Sequence, residues 1–215
     1  AETFRNYSPS ASDLVAQMGY NRLNSMVYQT DPEDNTTWLF YDGLQRLFST
    51  LDAKGNPSSF EYSTALNTGS GAFQRDSFKP TRSLDARGYE TVVEYDPQGL
   101  PLLQFVQYHQ GATPRYRVSA LQYDSSGNPT HETTYLDYDG LPDPATFRAN
   151  PPTEAQLTQT DFDTLSRPTQ RTRPDLSLQT FQYSSTSLLK LEQLFHAGDD
   201  PASDSPFREQ RHFHD

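Results

Sequence analysis

An aromatic residue followed by Asp recurs along this chain, each time just ahead of a turn-forming residue and a new strand-like run. Internal repetition of this kind constrains the fold more than any single motif, because each copy is one supersecondary unit that needs its neighbours to bury its apolar face. The copies lie at Tyr41-Asp42, Tyr95-Asp96, Tyr123-Asp124 and Phe162-Asp163, with a shorter relative at Tyr138-Asp139.

Two longer segments, 51–62 and 84–95, also match each other. Both read Leu-Asp-Ala, then a basic residue and Gly, and both end in Glu-Tyr at the same distance. These segments add turn signals of the same kind at other places in the chain. The Asp and Gly residues of the two segments are Asp52 with Gly55 and Asp85 with Gly88.

The residue types of the repeat predict a chain reversal. An Asp that opens a turn can accept hydrogen bonds from backbone N–H groups two residues further on. A Gly three residues after the Asp supplies the positive φ that closes the turn. Gly99 and Gly127 stand at that position, as do Gly55 and Gly88 in the longer segments. Turn signals that return every 10–15 residues or so predict an antiparallel meander.

We therefore predict a mainly β fold, an antiparallel strip of hairpins with one or two short helices. Residues 1–37 are expected to form an N-terminal segment with a helix within 10–19, a strand within 23–29 and a turn at 31–35. Residues 38–195 are expected to form the repeat strip. It is interrupted by a proline-rich loop at about 141–157, with one helical turn at Thr153–Leu157. Residues 196–215 are predicted to be a polar tail.

Composition excludes several classes of function. Formal net charge is -11 with a pI near 4.8, so nucleic acid is not an expected partner, since its phosphates are repelled. Cys is absent, which excludes thiol catalysis and disulfides. No apolar stretch is long enough for a membrane span, and the start of the chain does not read as a signal peptide. Hydrophobic residues make up only 33%, but 13 Tyr and 13 Phe can build a core of strands.

Acidic and histidine residues raise alternatives that we weigh against turn formation. Asp137, Asp139 and Asp143 around Gly140 could suggest a Ca²⁺ loop, but the closing Glu of such a loop is missing. The repeated Asp residues could imitate glycosidase carboxylates, which need two carboxyl groups facing each other across a bond. His212 and His214 would need further ligands to hold zinc. We therefore expect no catalytic, cofactor-binding or metal site.

The aromatic residues allow two interpretations. They can pack the strip against its neighbours, or, where they are exposed, they can stack on sugars. We favour packing and keep carbohydrate or receptor binding as the alternative.

The repeats resemble the RHS/YD-repeat family, whose unit runs roughly Tyr-Asp-x-x-Gly-Arg-Leu, a strand, a second Asp-x-x-Gly turn and another strand. The segment from Tyr41 to Tyr62 follows this plan, with Gln45 where the family usually has Gly. A degenerate copy starts at Phe162, with Ser166 in place of that Gly. The family includes bacterial Rhs proteins, the B and C components of Tc toxin complexes, and teneurins.

The resemblance implies a long β-strip that spirals into a hollow shell, which in bacterial members encloses a toxic polypeptide until delivery. It implies as partners the remainder of the shell or a second shell polypeptide, and an enclosed effector. It also implies a protein that is secreted or delivered by a bacterial toxin or secretion system. The letters Asp96-Pro97-Gln98-Gly99 match the family's aspartyl self-cleavage pattern but lie inside an ordinary repeat, so we interpret them as a turn.

Overall fold

The computed structural model describes residues 16–62 and 79–212, which form an antiparallel sheet of fifteen strands whose order follows the sequence. This confirms the predicted mainly β fold. The chain divides into two compact units, whose described parts are 16–62 with 79–90 and 91–212. The first unit contains β1 (Gln17–Tyr20), β2 (Met26–Thr30), β3 (Thr36–Tyr41), β4 (Leu47–Leu51), β5 (Pro57–Glu61) and β6 (Arg82–Leu84).

The second unit continues the meander with longer strands and holds the one α-helix of the described residues. Strand β7 (Glu90–Tyr95) begins at the last residue of the first unit. The other elements are β8 (Pro101–His109), β9 (Arg115–Tyr123), β10 (Pro129–Tyr138), α1 (Pro144–Ala149), β11 (Gln156–Phe162), β12 (Pro168–Thr172), β13 (Leu178–Tyr183), β14 (Leu189–Phe195) and β15 (Arg208–Arg211).

The buried core of the second unit lies where α1 covers β8, β9 and β10. Phe105 is fully buried, and its ring meets the Phe147 ring of the helix edge-on at 5.5 Å between centroids. Leu103, Tyr116, Val118 and Tyr138 complete the cluster. Edge-to-face aromatic pairs of this kind add about 0.5–1.5 kcal/mol each beyond the area they bury. The helix therefore covers the apolar residues on one face of these strands.

Local sequence explains the start of α1. Asp143 has extended backbone angles, and its carboxylate accepts a 2.7 Å hydrogen bond from the Thr146 N–H, which satisfies one free donor of the first turn. Pro144 follows at the start of the helix, where its missing N–H costs nothing. Arg148 in the last turn pairs with Glu94 on β7.

The predicted helices are wrong where the structure describes them. Gln17, Met18 and Gly19, which we expected at the end of a helix, lie in β1, and the rest of that segment lies outside the described residues. Gly19 faces the Tyr28 ring so closely that a Cβ would clash with it, so pairing with β2 decides the local structure. The helical turn expected at Thr153–Leu157 is also wrong, since β11 begins at Gln156.

Other local predictions agree with the structure only in part. The strand expected within 23–29 runs from Met26 to Thr30, because residues 21–25 form a turn. The turn expected at 31–35 is present. The region expected to be a polar tail contains strand β15, which pairs with β14.

Candidate functional site

Ten chain reversals of the described residues share one five-residue geometry, here called the corner. The N–H of position one donates to the carbonyl of position five, and the N–H of position four donates back to the carbonyl of position one. This pair of backbone hydrogen bonds is the feature that all the corners share. The corners span 21–25, 31–35, 42–46, 52–56, 85–89, 96–100, 124–128, 163–167, 173–177 and 184–188.

An acidic side chain at position one holds most corners closed. The Asp42 carboxylate accepts hydrogen bonds of 2.9 Å from the N–H groups of Leu44 and Arg46. The same pair of bonds recurs at other first positions, and at Asn21 an amide oxygen replaces the carboxylate. The corners held by a carboxylate in this way open at Asp31, Asp42, Asp52, Asp85, Asp96, Asp124 and Asp163.

Position four of every corner has a positive φ. Gly55, Gly88, Gly99 and Gly127 occupy it with φ between 81° and 83°. Six corners place another residue there, and a residue with a side chain adopts this positive φ at a cost of roughly 1–2 kcal/mol. Those six are Asn24, Asp34, Gln45, Ser166, Leu176 and Ser187.

A tyrosine hydroxyl links successive corners on the same side of each unit. This tyrosine, here called the hook, is the last residue of a strand or, at Tyr62, the residue just after one, and it donates to the carbonyl oxygen of the first residue of the preceding strand. Tyr41 reaches Met26 at 2.9 Å in this way, which closes a loop of 15 residues. The other hooks join Tyr62 to Leu47 at 2.8 Å, Tyr123 to Pro101 at 2.8 Å and Tyr183 to Pro168 at 2.9 Å.

Three of the four hook tyrosines, Tyr41, Tyr123 and Tyr183, coincide with an irregularity in strand pairing. The register shifts between Phe40 and Tyr41, and again between Gln182 and Tyr183, so one strand carries an extra residue beside the corner. No shift occurs beside the opposite corners at 31–35, 52–56 and 173–177. Bulges of this kind increase the local twist of a sheet, so the hook edge and the opposite edge differ in geometry.

An arginine joins corner and hook in two of the repeats. The Arg46 guanidinium lies 4.5 Å from the centroid of the Tyr62 ring, and its Nε donates to Asp42 at 2.8 Å. Arg167 repeats this arrangement with Tyr183 at 4.5 Å and with Asp163. Each arginine therefore bridges a corner carboxylate to the hook of the next repeat, which fixes both side chains.

The titration behaviour of these groups follows from their hydrogen bonds. The pKa of each of six corner carboxylates lies below its ordinary value. At Asp85 burial acts to raise the pKa, but hydrogen bonds from Tyr89 and Arg87 outweigh it. For the other five, hydrogen bonds dominate. The largest cause is the Asn35 amide for Asp31, the Arg46 backbone N–H for Asp42, the Asn56 amide for Asp52, the Asn128 amide for Asp124 and the Arg167 guanidinium for Asp163. Burial raises the pKa of the hook tyrosines Tyr62, Tyr123 and Tyr183, which remain hydrogen-bond donors at neutral pH.

The letters Asp96-Pro97-Gln98-Gly99 form an ordinary corner. The Asp96 carboxylate accepts from the N–H groups of Gln98 and Leu100, and Gly99 has φ 83°. The structure therefore places the Asp96 carboxylate in the same hydrogen-bonding role as the carboxylate of every other acidic corner.

Two of the three acidic residues around Gly140, Asp137 and Asp143, have separate structural roles. Asp137 on β10 accepts hydrogen bonds from Tyr108 and from Arg115, whose guanidinium lies at 2.6 Å. Asp143 caps α1. Within residues 16–62 and 79–212, no group of three His, Asp or Glu side chains is arranged to hold a metal ion. His214 lies outside the described residues.

An exposed aromatic group occupies the first unit. Trp38 and Phe40 on β3 and Phe48 on β4 are each between 42% and 45% exposed. The Trp38 ring lies 5.3 Å from that of Tyr28, and the Phe40 and Phe48 rings are 6.4 Å apart. In the described part of this unit no large apolar side chain is fully buried. Its sheet faces thus leave aromatic surface available for contact.

The predicted Asp and Gly residues of the repeats lie at corner positions, and Tyr41 and Tyr123 are hooks. Tyr95 and Phe162 end β7 and β11 just before a corner, and Phe162 has no hydroxyl with which to form a hook. The structure also adds corners that the sequence does not predict. Asn21, Arg173 and Ser184 open corners without Asp at position one. One available signal was spacing, since Tyr20, Tyr41 and Tyr62 stand 21 residues apart, as do Phe162 and Tyr183. No helix in the described ranges has the length and hydropathy of a membrane span.

Comparison with protein-family models finds no match, and no curated protein matches the sequence. Solved structures do match. A TcdB2–TccC3–Cdc42 complex aligns with a TM-score of 0.51 and 15% identity, over 97% of this chain and 12% of that chain. A TcdB2–TccC3 complex aligns with a TM-score of 0.50 and 15% identity, over 92% of this chain and 12% of that chain.

The chain thus spans only a small part of the length of these structures. A third structure, the Photorhabdus luminescens Tc holotoxin pore, aligns with a TM-score of 0.49 and 15% identity, over 91% of this chain and 11% of that chain. At this level of identity the likeness concerns the fold alone. The chain has the antiparallel strip fold of the TcdB2–TccC3 complexes, as its resemblance to RHS/YD repeats predicts.

Proposed function

We propose that this chain is a segment of the wall of a hollow RHS/YD-repeat shell that encloses a toxin or effector polypeptide before delivery. The observation that carries the proposal is the repeated link between corners. Each hook ties the edge of one repeat to the edge of the one before it, as at Tyr41 with Met26 and Tyr183 with Pro168. Such a strip is a continuous barrier built from interchangeable units.

The acidic residues of the repeat support a structural role. Each Asp that opens a corner uses its carboxylate to accept backbone N–H bonds, and three of them, Asp42, Asp85 and Asp163, also bind arginine. A general acid or a nucleophile needs a carboxylate that faces a substrate. We therefore propose that this segment acts by containment and carries no catalytic site.

The wall is proposed to continue beyond this chain, in the same polypeptide or in a second one. Strand β1 and strand β15 are the first and last of the described sheet, so each has one edge without a described partner strand. Open strand edges pair readily with further strands. The TcdB2–TccC3 complexes, which are much longer than this chain, support a partner of this kind.

Limited proteolysis of the complete polypeptide or assembly that contains this sequence tests containment. We expect an enclosed segment that resists protease until the shell is opened. Replacing Asp42 and Asp163 by Ala removes two corners together with their arginine links, and should speed the cleavage of the enclosed segment. Asp139→Ala serves as the matched control, because Asp139 does not open a corner. Equal cleavage in both variants, or no protected segment in the parent, would reject containment.

The second candidate is a surface module that binds a carbohydrate or a receptor. The exposed Trp38, Phe40 and Phe48 favour it, since aromatic rings can stack on sugars. Glycan-array binding that disappears in Trp38→Ala, and persists in Tyr108→Ala, would select this function over a wall. Tyr108 is a suitable control because it is an equally exposed aromatic residue of the second unit.

A further inference from the structure

A groove of about 450 Å³ in the second unit brings two arginines together on an otherwise acidic protein. Arg171 lies on β12, and Arg173 opens the corner that follows it. Both side chains are half-buried. In the part of the chain that the structure describes, neither guanidinium forms an ion pair with a carboxylate. Arg171 lies 5.9 Å over the Phe181 ring, and Arg173 is close enough to Asp175 to help lower the pKa of that carboxylate, but neither arginine is held in an ion pair.

Buried polar side chains position both arginines. Thr160 is 6% exposed and lies opposite Arg171 across the β11–β12 ladder. Its hydroxyl oxygen accepts a hydrogen bond of 3.3 Å from the Nε of Arg171. Gln179 is also 6% exposed, and its amide oxygen accepts from Arg173 at 3.1 Å. The Gln179 amide nitrogen in turn donates to Glu192 at 2.6 Å. A guanidinium carries five N–H donors, so one such bond orients it and leaves the others free.

The remaining lining sets the charge of the ligand. Glu132 is an exposed residue of the lining and pairs with Thr158 across the β10–β11 ladder. Asp175 interacts with Arg173 but does not line the groove, so the two arginines and one glutamate of the lining leave a single net positive charge there. That balance suits a carboxylate with one negative charge better than a phosphate, which carries nearly two. The planar guanidinium fork also matches a carboxylate in a two-point contact.

The groove also has apolar walls. Phe162, Pro129 and Pro174 contribute to the lining. A ligand that combines one carboxylate with an apolar group can therefore use both parts of the site. We infer that this groove, the carboxylate groove, binds the carboxylate of a small ligand or peptide side chain that also carries an apolar group. This inference does not depend on the proposed wall function.

Titration of the full chain with N-acetylphenylalanine, followed by backbone amide chemical shifts, tests the inference. We expect shifts confined to residues around 129–132 and 158–174, which line the groove. Binding should weaken as NaCl is added, because the contact is ionic. The uncharged N-acetylphenylalanine amide should not produce them. Inorganic phosphate should bind less tightly than the acid. Equal response to the amide, or tighter binding of phosphate, would overturn the assignment.

Variants separate the groove from general surface charge. Arg171→Gln with Arg173→Gln should abolish the response, whereas Arg22→Gln, the same change at an exposed arginine of the first unit, should leave it intact. Glu132→Gln removes the opposing charge and should tighten binding roughly two- to five-fold, as expected for one partly screened charge. Because this last variant gains affinity, a folding defect cannot imitate it. Unchanged or weaker binding in Glu132→Gln contradicts the inference.

Discussion

The hydroxyl of Tyr183 donates a 2.9 Å hydrogen bond to the carbonyl oxygen of Pro168. Pro168 is the first residue of β12, which follows the corner at 163–167. Arg167, the last residue of that corner, stacks on the same ring. The bond therefore reports on the link between two repeats rather than on either repeat alone.

Removing this hydroxyl should weaken the link without changing the packing of the ring. Tyr183→Phe is expected to lower the free energy of unfolding by about 0.5–1.5 kcal/mol, the net value of one hydrogen bond. Urea unfolding followed by tyrosine fluorescence measures the change. Tyr135→Phe is the control, because no hydrogen bond involves the Tyr135 hydroxyl in the described structure. A loss of equal size in both variants would argue against the hook.

A comparison of Gly55 with Gly43 separates the effect of a positive φ from the effect of steric clash. A Cβ added at Gly55 or at Gly43 would meet no atom within 4 Å, but only Gly55 has a positive φ, of 82°. Gly55→Ala should therefore lower the free energy of unfolding by about 1–2 kcal/mol. Gly43→Ala should be neutral or slightly stabilising, since it restricts the unfolded chain. Similar losses at both sites would contradict the assigned corner geometry.

The opposite substitution should stabilise a corner that lacks Gly. Leu176 has φ 63° and is 67% exposed, so its side chain contributes little packing. Leu176→Gly relieves the left-handed strain but gives the unfolded chain more freedom, and the balance is a gain of about 0.5 kcal/mol. Thermal unfolding of Leu176→Gly beside Leu165→Gly, an exposed leucine without a positive φ, provides the measurement. A drop in the melting temperature of Leu176→Gly would count against this reasoning.

The sequence predicts the corners that have Asp at position one and Gly at position four, and it misses corners that have other residues at both positions. Asp with Gly three residues later is a local signal, because both act within five residues. Asn21 supplies an equivalent oxygen, and Leu176 tolerates a strained φ because strand pairing on both sides holds it, so neither carries that signal. Helix α1 was missed although Asp143 and Pro144 form a recognisable helix start, since its stability comes from packing Phe147 on the sheet.

The aromatic core could not be derived from spacing alone. Phe105 and Phe147 lie more than forty residues apart, and their contact depends on how the loop after β10 returns over the strands. Phe105→Ala should therefore cost about 3–5 kcal/mol of unfolding free energy, as for other buried aromatic residues. Phe48→Ala, at a ring that is 45% exposed, should cost far less. Chemical denaturation compares the two, and equal losses would mean that this cluster is not the core.

Acid should weaken the strip through its corner carboxylates. The pKa of Asp31, Asp52 and Asp163 is lowered in the fold, so the folded state binds fewer protons than the unfolded chain. Their contribution to stability is present above the ordinary pKa near 3.8 and is lost as pH falls through the lowered value. We expect the melting temperature to fall steeply below about pH 4.

Asp163→Asn isolates one of these groups. The amide keeps an oxygen for the two backbone N–H groups, as Asn21 does, but cannot titrate or pair with Arg167 as an anion. The variant should be less stable than the parent at pH 7 and should show a shallower loss between pH 4 and pH 2. Parallel pH profiles for variant and parent would mean that the Asp163 carboxylate is not linked to folding.

Electron cryo-microscopy of the complete polypeptide or assembly that contains this chain tests the central proposal most directly. The wall function predicts that the strip extends on both sides into further repeats, with the hooks intact, around a lumen that holds density for another polypeptide segment. A structure in which residues 16–212 form a separate module on the outside, with no enclosed volume behind them, would contradict it.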